Sequence, residues 1–426
     1  MRHIITFLVF LFPSILLSQT PYVGSTGQDQ GIFMGSMGVS VIDDQTFFTM
    51  RMRPELAIGK FGFGLDIPIR FNLDSGEIRK ADWDESYDYL RVVRYARYGQ
   101  KREPLYSRIG DLDATRIGHG FIMNFYNNNV VNYDQRKVGL ILDVDAGMFG
   151  VESMTNNVGR AEIFGGRAYY RPLFGQSFFL LENLAFGASI VTDIDPDQNR
   201  STADGLTEFG FDVELPIVRT PLVNTILYAD FAKINGYGSG QAAGVETTFR
   251  GLLGTFNITA QLERRFLGAN FLPAYFNAFY ELDRYRPGSG TSKEATLSVQ
   301  PEAQGTFGLL HGEILNAFQL TGTFEKLDDV KNSGLLHMEL AVPNTVPSIS
   351  ARGTYDRVGI DGFSDAFKLD ERSVAKFGLG YKINPFIMVF MDYVWTFRFD
   401  PAGNKYVSQK HIEPQISFVM PFQLAR

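Results

Sequence analysis

The densest concentration of charged side chains lies in residues 74–116, where acids dominate the first third and bases the remainder. Pores select ions with rings of charged side chains. The forked guanidinium of arginine binds carboxylate and phosphate groups, and an imidazole adds a group that titrates near neutral pH. We therefore expect a pore constriction here, although a solvated loop whose charges pair with one another is the alternative. The candidate residues are Arg91, Arg94, Arg97, Arg102, Arg108, Arg116 and His119.

A second candidate site is an acidic loop between residues 193 and 204. Its oxygen-bearing side chains fall at positions 1, 3, 5, 7 and 12 of an EF-hand-like count, which suits the hard oxygen ligands of Ca²⁺. Gln198 replaces the usual glycine at position 6, and no flanking helices are evident. We expect a structural calcium ion in an external loop, with an ordinary polar turn as the alternative. The candidate ligands are Asp193, Asp195, Asp197, Asn199 and Asp204.

Catalytic patterns are scarce in the rest of the chain. There is no cysteine, no H-E-x-x-H, no G-x-S-x-G and no P-loop, and the five histidines are scattered. His311 and Glu313 share one strand face, and we interpret them as pore lining. The formal net charge of −7 argues against a nucleic-acid partner. We therefore expect a protein that is not an enzyme and needs no organic cofactor.

The first eighteen residues predict export from the cytoplasm. Arg2 precedes an almost wholly apolar run over residues 4–17, and Ser18 offers a small residue for cleavage. Leu16 fits the small-residue cleavage rule poorly, so an uncleaved anchor is the alternative. No later stretch reaches the eighteen or more apolar residues of a membrane-spanning helix. Beyond residue 18, the chain is therefore either soluble outside the cytoplasm or embedded in a membrane as strands.

The elements that position these groups are strands, because hydrophobic residues recur with a period of two. Every odd position from Phe61 to Leu73 is apolar, and the even positions are polar, small or proline. The same alternation returns over 138–145, 209–217, 256–263 and 412–424, and the runs 105–127 and 270–284 are also expected to contribute strands. Successive strand residues point to opposite faces, so each of these strands has one apolar face. Inward glycines such as Gly62, Gly64, Gly210, Gly378 and Gly380 are expected to leave space in a lumen.

Strand length favours a membrane barrel over soluble alternatives. Many runs span about ten to fourteen residues, whereas strands of soluble sandwiches are usually five or six long, and no short β-helix repeat is present. We predict an all-β, antiparallel transmembrane β-barrel of 16 or 18 strands over residues 31–426. A signal peptide (1–18) and a short segment (19–30) precede it, and a charged insert (74–104) folds into the lumen. Residues 84–98 fit either a helix or a strand paired with 105–112.

On these patterns the chain resembles Gram-negative outer-membrane β-barrels of the porin and substrate-channel class. The final amphipathic strand, with Phe418 and Phe422, is similar to the signal read by the barrel-assembly machinery, although residues 423–426 follow it. The resemblance implies insertion among outer-membrane lipids, with assembly by that machinery.

Three functions remain open at this stage. The first is passive uptake of small solutes, anionic ones among them, through the lumen. The second is transport of hydrophobic compounds, with residues 19–30 closing the mouth of the barrel. The third is a structural or accessory role in an envelope or secretion complex. A homo-oligomer or envelope protein partners are compatible with each of these functions.

Overall fold

In a computed structural model, the chain forms one closed antiparallel sheet whose first and last strands pair with each other. The structure describes residues 30–423. It omits 43–44, 102, 113, 130–135, 178–179, 198, 200, 202–203, 285–291, 316–317, 343–347, 401–402 and 404. The predicted signal peptide, and nearly all of the segment 19–30, lie outside the described residues.

The wall consists of 21 strand segments in the described part of the chain. Their bounds are β1 Gln30–Ile42, β2 Gln45–Ile58, β3 Phe61–Leu65, β4 Ile67–Asn72, β5 Val93–Tyr98, β6 Leu105–Gly110, β7 Gly139–Asp145, β8 Phe149–Thr155, β9 Ile163–Tyr170, β10 Ala185–Asp193, β11 Leu206–Arg219, β12 Val223–Ile234, β13 Ser239–Leu252, β14 Phe256–Leu267, β15 Ala303–Ile314, β16 Phe318–Leu327, β17 Gly334–Val342, β18 Ile349–Ile360, β19 Ser373–Asn384, β20 Ile387–Asp400 and β21 Lys405–Gln423.

The described wall has 20 strands, because β3 and β4 are two halves of one strand. Both pair with β2, and only Asp66 separates them. The predicted all-β barrel is therefore confirmed, whereas the predicted count of 16 or 18 is wrong. Apolar runs at 105–127 and 270–284 were expected to be strands, but most of the first and all of the second lie outside the wall. The strands β5 to β8 are also short, and the alternation of apolar residues alone does not define where each of them begins and ends.

The period-two pattern sets the two faces of the wall as predicted. On β11 the odd residues Phe209 and Phe211 are 41% and 62% exposed, whereas Glu208 and Asp212 are buried on the inner face. On the final strand Ile416 is likewise exposed beside buried neighbours. An apolar outer surface and a polar interior are what a barrel in lipid requires.

The two ends of the barrel differ in the length of their connections. Long connections leave one end, among them residues 73–92, 111–138 and 268–302, and we call it the long-loop end. Most turns at the opposite end are short, as between β2 and β3 or β19 and β20, and both described chain ends lie there. Outer-membrane barrels have short periplasmic turns and long extracellular loops, so the long-loop end is expected to face outward.

Helices are short and lie in the connections. The bounds of the two α-helices are α1 Ser86–Arg91 and α2 Tyr280–Asp283, and those of the 3₁₀ helices are Lys80–Asp82, Glu294–Val299 and Phe363–Asp365. Among the described residues, no helix has the length and apolar character needed to cross a membrane.

The predicted insert 74–104 is only partly an insert. Its first half forms the 3₁₀ turn and α1, which a capping box between Glu85 and Asp88 begins. Its second half contains β5, which pairs with β6 across a turn, as one of the two sequence interpretations expected. The assignment of 74–104 as one lumenal insert is therefore corrected, because residues 93–98 pair with β3 on one side and β6 on the other, as a wall strand does.

A charge on the outer face should destabilise the barrel, whereas a charge on the inner face should not. We expect Phe211→Arg, near the middle of β11, to lower the free energy of unfolding by about 2–4 kcal/mol, because lipid cannot solvate the guanidinium. Gln319→Arg on β16 adds the same charge toward the lumen and should change stability little. Urea unfolding in lipid vesicles measures both, and equal effects of the two variants would contradict this assignment of faces.

Candidate functional site: a plugged lumen with a basic wall

Two long connections, residues 111–138 and 268–302, turn into the lumen and pair with each other. Met123 and Phe276 form a parallel β-bridge, and the N–H of Asn124 donates to the carbonyl of Phe276 at 3.1 Å. Backbone groups that leave the wall thus find partners in the other connection, as buried N–H and C=O groups must. We call these two connections together the plug.

The plug shares one hydrophobic core with the inner face of the wall. Its rings pack closely: the centroid of Tyr280 lies 4.6 Å from that of Phe276 and 5.5 Å from that of Tyr275. Wall residues join from strand ends at the long-loop end, so the plug sits in that part of the lumen. Buried members from the plug include Leu112, Ile117, Phe121, Ile122, Met123, Tyr126, Phe271 and Leu297, and those from the wall include Val191, Leu206, Ile234 and Leu267.

Inward glycines let the plug approach the wall. A Cβ atom at Gly210 would lie 2.5 Å from Cδ1 of Ile122, and one at Gly165 would lie 2.5 Å from Cδ1 of Ile117. Both distances are far shorter than van der Waals contact. Such glycines are expected from the sequence to leave lumen space, and at these two positions the plug fills that space.

Buried ion pairs fasten the second connection to the first and to the wall. Arg284, which follows α2, donates to Glu162 at 2.7 Å and to Asp193 at 3.0 Å. Glu281 accepts from Lys137 at 2.6 Å. Burial alone would raise the pKa of Glu281, but Lys137 and Arg284 outweigh burial and lower this pKa to about 2. The carboxylate therefore stays charged and holds the two connections together.

His119 fastens the first connection to the opposite strands β11 and β12. Its Nδ1 lies 3.1 Å from Asp230, and its Nε2 lies 3.3 Å from Glu214. Its ring stacks on Tyr228 with the centroids 4.0 Å apart. Burial opposes protonation of the imidazole, but the two carboxylates outweigh burial and raise the pKa of His119 to about 10. At neutral pH, His119 is therefore a cation held between two wall carboxylates.

A second contact joins the plug to strands β17 to β19. The ring of Phe125 stacks on His337 at 3.9 Å, and His337 is itself paired with Asp356 at 2.7 Å. Lys376 donates to the backbone carbonyl of Asn129 at 2.8 Å. The plug thus contacts both sides of the barrel through polar groups of the inner wall.

Two arginines on the inner wall have no acidic partner. Arg97 on β5 and Arg108 on β6 stand directly opposite each other in the sheet register. The side chain of Arg97 lies over Gly62, and a Cβ atom added at Gly62 would be 2.8 Å from Nε of Arg97. The guanidinium of Arg108 lies 5.2 Å from the ring centroid of Tyr95. Arg97 donates to the backbone carbonyl of Gly99 at 3.0 Å. Within the part of the chain that the structure describes, neither arginine pairs with a carboxylate. We call this pair the basic wall.

Two other predicted constriction residues are neutralised. Arg94 donates to Glu55 at 2.7 Å, and Arg91 pairs with Asp88 within its own helix. Their charges are therefore balanced locally. The Arg91–Asp88 pair lies within the charged segment 74–116, whereas Glu55 belongs to β2. Arg102 lies outside the described residues.

The remaining two predicted residues lie on the plug and not on the basic wall. Arg116 donates to the side-chain oxygen of Gln261 at 2.9 Å, and His119 contacts β11 and β12 as described above. The structure therefore brings Arg97 and Arg108 together and places Arg116 and His119 elsewhere. Whether any of the seven forms a constriction stays a prediction.

The acidic loop divides into two parts. Asp195, Asp197 and Asp204 converge, each offering a ligand oxygen within 4.8 Å of the others. Asp193 is directed elsewhere, because its two oxygens accept hydrogen bonds from plug side chains. Asn199 accepts from the hydroxyl and the N–H of Ser201.

Sequence reasoning missed the role of residues 268–302. The run from Phe271 to Tyr280 was interpreted as a strand because it is apolar and aromatic. A signal was present: Leu272, Ala274, Phe276 and Ala278 make the second face apolar too, so the segment has no polar face for a lumen. A segment that is apolar on both faces is typical of a buried core.

The ion pairs of His119 predict a pH-dependent attachment of the plug. Because its pKa in the folded protein exceeds the ordinary 6.5, the stabilisation is complete below pH 6.5 and is lost as the pH rises through about 10. We expect His119→Gln to lower the free energy of unfolding at pH 6 by about 3–5 kcal/mol, since two buried carboxylates lose their partner. The loss should shrink as the pH approaches 10.

The matched control is His311→Gln on β15, where Nδ1 contacts the hydroxyl of Thr321 and no plug residue. Urea unfolding measured from pH 6 to 10, together with limited proteolysis of the plug, checks the prediction. A constant difference between wild type and His119→Gln across that range would contradict it.

No protein-family model and no curated protein sequence matches the chain. Solved structures with a similar chain path include the outer-membrane protein OpdK of Pseudomonas aeruginosa (10% identity, 92% of this chain and 99% of that one covered, TM-score 0.35). Others are OccK2 (OpdF) of the same organism in complex with glucuronate (10%, 93% and 96%, 0.30) and CdiB of Acinetobacter baumannii (8%, 92% and 60%, 0.28). At this similarity, none indicates what this chain binds. The closed antiparallel wall, apolar outside and charged inside, is itself the architecture of outer-membrane porin-like barrels, as the strand pattern predicted.

Proposed function

We propose that this protein is an outer-membrane channel for small anionic solutes, with the plug at its outer end and the basic wall below it. The observation that carries the proposal is the pair Arg97 and Arg108, which face the lumen with no carboxylate partner among the described residues. An unmatched guanidinium inside a pore attracts anions and repels cations.

The contrast with the other lumenal arginines supports this assignment. Arg51 donates to both Asp66 and Glu413, and Arg265 pairs with Glu263 and Glu325. In each case, carboxylates within hydrogen-bonding distance balance the positive charge of the guanidinium. The two arginines of the basic wall differ from these, because neither pairs with a carboxylate among the described residues.

The plug and the basic wall lie at different heights along the barrel axis, so a solute would meet them one after the other. Plug contacts involve strand ends at the long-loop end, such as Val191 and Ile234. Arg97, by contrast, lies one residue from the end of β5 nearest the short turns. A solute entering from outside would meet the plug first and the basic wall afterwards.

Recognition at the basic wall would follow the chemistry of the guanidinium. The guanidinium groups of Arg97 and Arg108 can each donate two parallel hydrogen bonds to a carboxylate or phosphate group. Tyr95 beneath Arg108 adds an aromatic face, which suits a small organic anion better than a bare inorganic one. This geometry favours a channel over a structural barrel, in which unmatched lumenal charges would serve no purpose.

Ion selectivity tests the proposal directly. We expect single channels of the wild type in a salt gradient to prefer anions, and Arg97→Ala/Arg108→Ala to lower this preference. A unit charge about 7 Å from the ion path in water changes the ion's energy by about 0.6 kcal/mol, or roughly threefold in occupancy for each arginine.

Arg264→Ala is the matched control, because Arg264 is exposed and paired with Asp328 outside the lumen. Its reversal potential should equal that of the wild type. A correctly folded barrel without current would contradict the channel and favour a structural role or hydrophobic cargo. Current with unchanged selectivity in the double variant would contradict only the role of the basic wall.

A further inference from the structure

The connection between β10 and β11 gathers three carboxylates at the long-loop end. Asp195, Asp197 and Asp204 each place one ligand oxygen within 4.8 Å of the others. The N–H of Asp197 donates to Oδ2 of Asp204 at 3.1 Å, which closes the connection on itself. Carboxylates at such distances repel one another unless a cation lies between them.

Asp195 supplies independent evidence for a ligand. The residue is only 6% exposed, and its Oδ2 accepts from Arg160 at 2.6 Å. Its Oδ1 is buried yet accepts no hydrogen bond from the described residues, and Oδ1 of Asp204 is in the same condition. Buried polar atoms in native proteins almost always have a partner. Two such oxygens in one small cluster are therefore available as ligands for a cation.

We propose that Asp195, Asp197 and Asp204 bind one Ca²⁺ ion. Calcium accepts six to eight oxygen ligands in flexible geometry, so carboxylates, backbone carbonyls and water can complete its shell. Mg²⁺ demands a stricter octahedron and gives up its water reluctantly, which suits an irregular loop less well. An affinity in the range of about 10⁻⁴–10⁻³ M is expected, as for extracellular calcium modules.

The site is smaller than the EF-hand-like count predicts. Asp193 is excluded because Arg284 and Tyr280 of the plug occupy its oxygens. Arg284 also donates to the backbone carbonyl of Asp195 at 2.7 Å. Calcium at the three carboxylates would therefore stabilise the same connection that anchors the plug, whether or not the barrel conducts solutes.

Thermal unfolding of the full-length barrel in detergent tests the proposal. We expect 5 mM CaCl₂ to raise Tm by about 2–4 °C relative to EDTA, and an equal concentration of MgCl₂ to raise it less. Asp197→Asn and Asp204→Asn should abolish the calcium shift. Asp361→Asn, an exposed acid in another connection at the same end, should retain it.

Isothermal titration with CaCl₂ provides a second measurement that does not depend on unfolding. Heat-modifiable migration in gels establishes that each variant is folded before it is compared. Binding by the wild type and its loss in Asp204→Asn would support the site. A wild type without a calcium shift or heat of binding up to 10 mM, an equal response to magnesium, or a shift that persists in both variants would overturn it.

Discussion

Backbone hydrogen bonding in lipid is the constraint on which this structure depends. Hydrocarbon offers no partner for an exposed N–H or C=O group, so a sheet in a membrane must close on itself. Here β1 pairs with β21 from Gln30↔Gln423 to Gly38↔Gln415, and again at Val41↔Ile412. Closure fixes an inner and an outer face for every strand, and the plug, the basic wall and the polar lumen all follow from that division.

The plug obeys the same constraint in the interior. Its connections leave the wall, pair with each other and bury an aromatic core against glycines such as Gly210. Its charged side chains then find opposite charges on the wall, as His119 does with Asp230. The apolar core holds the plug in place, and the buried ion pairs define one orientation, because each charge would be costly without its partner.

The partners of charged side chains differ from place to place along the inner wall. Arg94 and Arg51 contact acids within hydrogen-bonding distance, whereas Arg97 and Arg108 do not among the described residues. In the acidic connection after β10, one buried carboxylate oxygen each of Asp195 and Asp204 accepts no hydrogen bond from the described residues. These two places lie apart, one toward the short turns and one at the long-loop end. The ligands that we propose for them differ accordingly, an anionic solute for the first and a divalent cation for the second.

The sequence by itself determined the fold class and the facing of the wall strands, because alternation is a local property that survives without knowledge of neighbours. It also pointed to Arg97, Arg108 and the acidic connection as places of chemical interest. Only the tertiary structure decided the count of 20 strands, since β3 and β4 become one strand through their shared partner β2. It alone revealed the plug, which depends on pairing between residues about 150 positions apart, such as Met123 and Phe276. Which charges are neutralised was also beyond the sequence, because ion pairs such as Arg51–Glu413 form only when the barrel closes.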